Sequence, residues 1–300
     1  MCGIVGLYLK NRELQPKLGA MFAPMLVEMT NRGPDSAGFA IYRDAVNGGR
    51  MKLTLAHDDE GFDWHALARS AETDLACSFS LEVIANHALV ITDADEAAVR
   101  TYLSEHFPDV NLIGAGHTVE IFKDTGLPAD VVRRFNLSGA AGTHAIGHTR
   151  MATESAVNPA GSHPFSTGDD LCLVHNGSLS NHNRLREVLK REGLSFRTEN
   201  DTEVAAAYFT WRMRQGASLN EALEAGIRDL DGFYTFCIGT ARGFAVLRDP
   251  IACKHAVLAE TDDWVAMATE WRAIAHLPGS AKAKMWEAAP RTVYSWEGRA

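Results

Sequence analysis

The second residue of the chain is a cysteine, and a largely apolar run follows it directly. Residues 3–9 form this run, in which Ile4 and Val5 lie between two glycines. A continuous apolar run of this length predicts a buried strand. Chain termini usually fray, so a terminus that opens a core strand must be held by the fold. The sequence therefore predicts a strand that fixes Cys2 at its beginning.

Removal of Met1 would leave a thiol and a free α-amino group on one residue, and aminopeptidases accept a small second residue such as cysteine. The reference pKa values are about 8 for the amine and about 8.5 for the thiol, so the amine can take up the thiol proton near neutral pH. An N-terminal residue activated by its own amine is a known form of nucleophilic catalysis. Position alone would equally fit an accidental second codon.

The composition is that of a soluble globular protein with one large domain or two ordinary ones. Hydrophobic residues make up 46% of the 300 residues, charged residues 22%, and the net charge is -9. The negative charge argues against a nucleic-acid-binding surface, and no apolar run reaches the roughly 18 residues of a membrane span. Four further cysteines are scattered without a C-x-x-C pair, which argues against structural zinc or iron–sulfur sites and favours a reducing compartment. We expect a cytoplasmic protein without a signal peptide.

Hydrophobic periodicity predicts a mixed α and β protein. Helical spacing is found in the segments 17–30, 95–106, 128–135, 181–192, 199–214 and 219–230. Short strands are predicted in the segments 39–42, 76–92, 110–122, 142–150, 171–175, 233–238, 244–247, 255–259, 264–268 and 292–296. The turns between the later strands indicate antiparallel sheets. Within this order, residues 44–135 form an α+β segment without a catalytic cluster.

Two features around residue 150 suggest chemistry. His144 and His148 are four residues apart, a spacing that suits a metal on a helix, but on a strand they would lie about 13 Å apart, too far for one ion. We therefore expect no metal here. Arg150 directly follows the predicted strand and can clamp a carboxylate through two parallel hydrogen bonds, or it can be a solvated surface charge. His163 follows in the sequence Ser-His-Pro-Phe, which predicts a turn, and it has either a structural or a site-supporting role.

Three further motifs have both a structural and a functional interpretation. Asn176-Gly177 is a strong hairpin-turn signal, yet an amide side chain beside a glycine N–H also makes a two-donor oxyanion site. Asp201 stands where a helix opens and can be its N-cap or a charged ligand. The segment 32–38, with the sequence RGPDSAG, is foremost a turn.

Taken together, these motifs resemble the class II glutamine amidotransferases, the glutaminase branch of the N-terminal-nucleophile hydrolases. The matching pieces, in chain order, are CGIVG from Cys2, RGPDSAG from Arg32, GHTRMAT from Gly147, His163-Pro164, His175-Asn176-Gly177 and Asp201-Thr202-Glu203. Each piece alone is weak, whereas six in order are specific. The resemblance implies a four-layer αββα sandwich of two antiparallel sheets over residues 2–300, with residues 44–135 as an α+β insertion.

The resemblance also implies roles for individual residues. Cys2 would attack the side-chain amide of L-glutamine, while Asn176 and the Gly177 N–H would hold the oxyanion. The substrate would be bound by four residues, with Arg150 on the α-carboxylate, Asp201 on the α-ammonium, Thr153 lining the pocket and His163 steadying the loop beside it. Met151 stands where some relatives have an aromatic residue, which implies a softer contact over the substrate.

No acceptor domain follows before Ala300, and the long insertion is most like free-standing amidotransferase subunits of glutamate-synthase-like complexes, including N-methylglutamate synthase. This resemblance implies no cofactor or metal in this chain, and a hetero-oligomer in which a separate synthase subunit carries FMN and iron–sulfur clusters. Two alternatives stay open at this point: another N-terminal-nucleophile amidohydrolase, such as a peptidase or acylase, and a non-catalytic interaction subunit that retains the fold.

Overall fold

The computed structural model describes residues 2–151, 158–168 and 170–298. Its strands are β1 (Gly3–Leu9), β2 (Ser36–Tyr42), β3 (Met51–Ala56), β4 (Phe79–Ile84), β5 (His87–Thr92), β6 (Asn111–Gly116), β7 (Val119–Thr125), β8 (His144–Arg150), β9 (Phe165–Gly168), β10 (Leu171–Leu179), β11 (Gly232–Thr240), β12 (Gly243–Arg248), β13 (Val257–Glu260), β14 (Trp264–Ala268), β15 (Lys284–Glu287) and β16 (Thr292–Glu297). Its α-helices are α1 (Leu18–Glu28), α2 (Trp64–Leu75), α3 (Glu96–His106), α4 (Pro128–Arg134), α5 (His182–Arg191), α6 (Asp201–Arg214), α7 (Leu219–Asp229) and α8 (Trp271–Ile274).

Two antiparallel sheets form the body of the protein. The first has seven strands in the order β15-β13-β14-β1-β8-β2-β7, and the second has five in the order β16-β12-β11-β10-β9. Strand β1 lies in the middle of the first sheet, between β14 and β8, so the chain terminus is held from both sides. The inner faces of both sheets contribute buried side chains to one core, including Ile4, Ile146, Val174, Cys237 and Phe244.

Helices cover both outer faces of this sandwich. The cluster outside the first sheet includes Phe22 and Leu26 of α1 together with Val131 of α4 and Ile274 of α8. The cluster outside the second sheet includes Leu189 of α5, the apolar side of α6 and Leu223 of α7. The predicted four-layer αββα architecture is therefore confirmed, with each sheet buried on both faces as its apolar strands require.

The segment 44–135 contributes to two parts of the molecule. Strands β3 to β6 form a separate four-stranded sheet in the order β4-β5-β3-β6, and they pack with α2 and α3 around a core of their own that includes Trp64, Val90 and Tyr102. Strand β7, in contrast, pairs with β2 at the edge of the first sheet, and α4 packs against the main core. The insertion with its own core therefore covers 51–116.

Two local expectations differ from the structure. The prediction of a hairpin turn at Asn176-Gly177 is wrong, because both residues lie inside β10 and pair with Thr235 and Tyr234 of β11. The positive φ of Gly177, +148°, explains the turn-like sequence without a turn. Asp201 is not the N-cap of α6 either. Asn200 is, since its side chain accepts a hydrogen bond from the Thr202 N–H.

Candidate active site

Cys2 precedes β1 directly, and the first residues of that strand are fixed on both sides. The N–H of Ile4 donates to Thr269 Oγ1 at 2.8 Å, and the N–H of Thr269 donates back to the Ile4 carbonyl at 2.9 Å. Gly3 pairs with Thr149 of β8, and a Cβ at this glycine would lie 2.8 Å from Thr149 Oγ1. Only a glycine fits at position 3, so the residue that follows Cys2 packs closely against β8.

Asn176 contacts the candidate nucleophile directly. Its Nδ2 donates to the carbonyl oxygen of Cys2 at 3.2 Å. The side chain is 5% exposed, whereas the following Gly177 is exposed. The contact joins the start of the first sheet to the second sheet, so the packing of the two sheets sets the distance between these residues. The Asn176 amide thereby lies beside the backbone of Cys2, the residue that carries the thiol.

Gly177→Ala should destabilise the protein by about 3 kcal/mol or more, because strain at a positive φ adds to a steric clash. An alanine Cβ at this position would lie 2.0 Å from the Phe233 carbonyl oxygen, where φ is +148°. Gly193→Ala is the matched control, since φ is +86° there but no atom of the described residues lies within 4 Å of an added Cβ; it should cost about 1 kcal/mol. Urea unfolding compares the two variants, and equal losses would contradict this account.

Arg150 is the last residue of β8, and the register between Gly3 and Thr149 sets it opposite Cys2. The side chain is 8% exposed, and its Nη1 donates to the Gly161 carbonyl at 3.4 Å. The 32–38 segment lies against the same strand end: the Asp35 N–H donates to the Arg150 carbonyl at 3.1 Å. A Cβ on Gly33 would meet the Arg150 backbone nitrogen at 2.4 Å. This segment therefore holds the end of β8 in place.

Arg150 and Asp201 line one cavity of about 540 Å³, together with His182 and Asn200. Asp201 is the first residue of α6, and its Oδ2 accepts a hydrogen bond from the Leu179 N–H at 2.9 Å. Burial alone would raise the pKa of this carboxyl group, but the hydrogen bond and charge of His175, with the Leu179 N–H, lower it to about 2. Because the pKa is depressed, the carboxylate loses its charge only as the pH falls towards 2.

A buried network of three histidines lies behind Asp201. His163 Nε2 lies 2.7 Å from Thr202 Oγ1, and His175 Nδ1 lies 3.0 Å from the same oxygen and 3.6 Å from Asp201 Oδ1. His148 stacks on His163 with ring centroids 4.0 Å apart. Burial, reinforced by the neighbouring histidines, lowers the pKa of His163 well below its usual range. The His163 imidazole is therefore neutral and acts as a hydrogen-bonding support.

Of this network, only His163 was assigned a supporting role from the sequence. His175 and Thr202 stand in the matching motifs, next to Asn176 and Asp201, but received no role of their own. A search for polar residues next to the named candidates would have found both. Of the other candidate residues, Thr153 lies outside the described residues. The two histidines with metal-like spacing use Nε2 on separate carbonyls, His144 on Thr240 and His148 on His175.

Comparison with known proteins shows which family the chain belongs to. Residues 148–276 match a glutamine amidotransferase domain. The glutamine amidotransferase-like protein GlxB of Rhizobium meliloti is 54% identical over 299 residues, which cover 99% of this chain and 98% of that protein. The chain belongs to the glutamine amidotransferase family. A putative glutamine amidotransferase of Methanothermobacter thermautotrophicus is 33% identical over 280 residues, covering 90% of this chain and 92% of the relative.

A solved structure supports the fold of this glutamine amidotransferase. The glutamine phosphoribosylpyrophosphate amidotransferase of B. subtilis, complexed with ADP and GMP, superposes with a TM-score of 0.60 at 20% identity. The match covers 99% of this chain and 49% of that protein, so the chain spans about half its length. This likeness shows a shared fold, and membership of the glutamine amidotransferase family makes the chain a glutamine-hydrolysing enzyme. No helix in the described ranges has the length and apolar character to cross a bilayer.

Proposed function

We propose that this amidotransferase hydrolyses the side-chain amide of free L-glutamine with Cys2 as the nucleophile, after removal of Met1. The α-amine takes the thiol proton, and the thiolate attacks the amide carbon. The Nδ2 group of Asn176 and the N–H of Gly177 stabilise the oxyanion. As the C–N bond breaks, the amine returns its proton and ammonia leaves. Water then cleaves the γ-glutamyl thioester, which releases glutamate and restores the thiol.

The observation that carries this proposal is the 3.2 Å contact from Asn176 Nδ2 to the Cys2 carbonyl. This contact supports the proposal because the amide donor bonds to the residue that carries the attacking sulfur. A second observation concerns the substrate: Arg150 and Asp201 line the same cavity and have opposite charges. A free amino acid has opposite charges on its α-carbon, whereas a residue inside a peptide has none. This pair therefore favours glutamine over a peptide or acyl substrate.

Asn176→Ala should lower kcat for glutamine hydrolysis by roughly 10²-fold or more while changing KM little, because an oxyanion donor acts in the transition state. Steady-state release of glutamate measures both constants. Asn11→Ala is the control: this amide bonds to Asp263 at the opposite end of β1 and should leave kcat unchanged. A change in KM with normal kcat would instead assign Asn176 to substrate binding.

We further propose that this chain is one subunit of a hetero-oligomer and delivers its ammonia to a separate synthase subunit, of the glutamate-synthase-like or N-methylglutamate-synthase kind. Such a partner would carry the FMN and iron–sulfur clusters. Support comes from the resemblance to detached amidotransferase subunits, and from an insertion with its own core beside the catalytic sandwich. A glutaminase that works without its acceptor would waste glutamine, so the partner is expected to control the activity.

Glutamine hydrolysis by the isolated chain should rise at least tenfold when the synthase subunit and its acceptor are added. A tenfold rise corresponds to about 1.4 kcal/mol of coupling between the two sites. Co-purification from the native host supplies the partner, and initial rates with and without it measure the effect. Full activity of the isolated chain, with no stable partner recovered, would contradict the subunit proposal.

A further inference from the structure

A second cavity lies between the insertion and the sandwich, and we call it the insertion cleft. Its volume is about 750 Å³, which falls within the usual range of small-molecule sites. Glu96 and Arg100 of α3 line it from the insertion, while Phe165, Thr167 and Arg197 line it from the sandwich. The reaction proposed for Cys2 makes no use of this space.

The charged groups of the insertion cleft are not balanced. Among the residues that the structure describes, four basic and three acidic side chains line it, namely Arg100, Lys123, Arg197 and Arg214 with Asp95, Glu96 and Glu203. The acids are already engaged. Asp95 caps α3, Glu96 pairs with Arg100 at 2.7 Å, and Glu203 accepts hydrogen bonds from the backbone N–H groups of residues 197 and 198 at 2.9 and 2.8 Å. Arg100 is engaged as well by its pair with Glu96, and the described lining has one more basic than acidic side chain in a chain of net charge -9.

Arg197 is the cation best placed to receive a ligand. Among the described residues, its guanidinium donates one hydrogen bond, to the Val110 carbonyl at 3.2 Å, and it is exposed to solvent in the cleft. A guanidinium has five N–H donors in a planar fork that matches carboxylate and phosphate oxygens. Apolar surface lies nearby, from Leu112, Phe165 and Leu194. The cleft therefore offers both an anion donor and an apolar wall.

We infer that the insertion cleft binds a small organic anion, whose carboxylate or phosphate group is held by Arg197 and whose apolar part lies against Phe165 and Leu194. A ligand of this kind accepts hydrogen bonds from N–H groups of Arg197. It occupies a cavity that the insertion and the sandwich form together. The insertion therefore supplies half of a binding site.

The cleft and the cavity of Arg150 and Asp201 share part of a wall. Ala160, Arg197 and Thr198 line both. Residues 197 and 198 are bonded to Glu203 in the first turn of α6, the same turn that carries Asp201. A ligand that immobilises Arg197 therefore restrains the support of Asp201 as well.

A buried lysine also connects the insertion cleft with the residues that support Asp201. Lys123 of β7 is 4% exposed, and its Nζ donates to the carbonyls of Ser162 and Pro164 at 2.8 and 3.3 Å. These two residues flank His163, which bonds to Thr202. The lysine also lines the insertion cleft. Ligand binding in the cleft can thus affect the cavity of Arg150 and Asp201 by two routes, through residues 197 and 198 and through Lys123. This coupling rests on the proposed glutaminase function.

Calorimetric titration of the Cys2→Ala protein tests the binding without turnover. The probes are succinate as a dicarboxylate, glycerol 3-phosphate as a phosphomonoester, and glycerol as the uncharged control. At least one anion should bind, and glycerol should not. Arg197→Gln should weaken anion binding tenfold or more, with Arg197→Lys between it and the parent, because lysine keeps the charge but loses the planar fork. Arg133→Gln, on an arginine that is 77% exposed and paired with Asp130, should have no effect.

Two results would overturn the inference. One is no binding of either anion up to about 10 mM, beyond the weak end of specific small-molecule affinity. The other is binding that is lost on Arg150→Ala, which would place the anion in the cavity of Arg150 and Asp201. In the wild-type enzyme, the bound anion should shift the KM for glutamine at least threefold. Because binding is measured in a Cys2 variant, failure of the proposed Cys2 chemistry would leave the binding result intact.

Discussion

Cys2→Ala should lower glutamine hydrolysis by at least about 10⁴-fold and leave the fold intact. The reaction depends on a thiolate at this position, and no oxyanion donor can replace the nucleophile. The fold does not depend on the thiol, because β1 is held by its pairing with β8 and β14 and by the two hydrogen bonds between Ile4 and Thr269. Glutamate release and thermal unfolding together separate the two effects.

The control for this prediction is Cys253→Ala. Cys253 is exposed, and its thiol is free, so the variant should keep normal activity if only Cys2 carries the chemistry. Retention of Met1 provides a second comparison, since an acylated Cys2 nitrogen is an amide and cannot accept the thiol proton. Material with Met1 retained, identified by its mass, should be inactive. Equal activity with and without Met1 would contradict activation of Cys2 by its own amine.

Arg150→Ala and Asp201→Asn should each lower kcat/KM for glutamine. The expected loss of transition-state stabilisation is about 2–4 kcal/mol for each variant, because each removes a sheltered, charge-assisted contact. The two residues line one cavity and carry opposite charges. Asp201→Asn keeps the size of the side chain and an oxygen that can accept from the Leu179 N–H. The effect of this substitution should therefore fall on the substrate and not on the fold.

A substrate without an α-ammonium group sharpens the test of Asp201. Wild-type enzyme should discriminate strongly against Nα-acetylglutamine, and Asp201→Asn should lose most of that discrimination. The low pKa of Asp201, about 2, means that the discrimination should persist from pH 7 to pH 5. Arg133→Ala is the control for Arg150, since that guanidinium is exposed on α4. Normal hydrolysis of glutamine by Arg150→Ala would contradict the proposed substrate position.

The nucleophile strand and many helices could be predicted from the sequence because they depend on local patterns, whereas the four-layer arrangement followed from the family resemblance. The apolar run after Cys2 becomes β1, and the helix predicted at 199–214 is α6 at Asp201–Arg214. Strand β3 and helix α2 were not predicted. Their apolar side chains, such as Leu53 and Trp64, face a core formed by the insertion itself. Their stability comes from tertiary packing.

The site was less accessible to sequence reasoning because its contacts join distant segments. The Asn176 contact with Cys2 spans the two sheets, and no local pattern encodes that distance. The bonds from His163 and His175 to one Thr202 hydroxyl connect three separate elements in the same way. The turn predicted at Gly177 shows the opposite problem, since the glycine is required by a positive φ within a strand. The local sequence therefore indicates the backbone conformation of Gly177, but not that this residue lies within a strand.

The central claim, that Cys2 of the mature chain forms a covalent bond with the glutamine side chain, is tested most directly by mass mapping. The enzyme is treated with an electrophilic glutamine analogue such as a diazoketone, digested, and its cysteine peptides are analysed. We expect one equivalent of label on the N-terminal peptide, which begins at Cys2 without Met1, and labelling that is slowed at least about 30-fold by Arg150→Ala. Label on the exposed Cys253 with an unmodified Cys2, or label on a peptide that retains Met1, would contradict it.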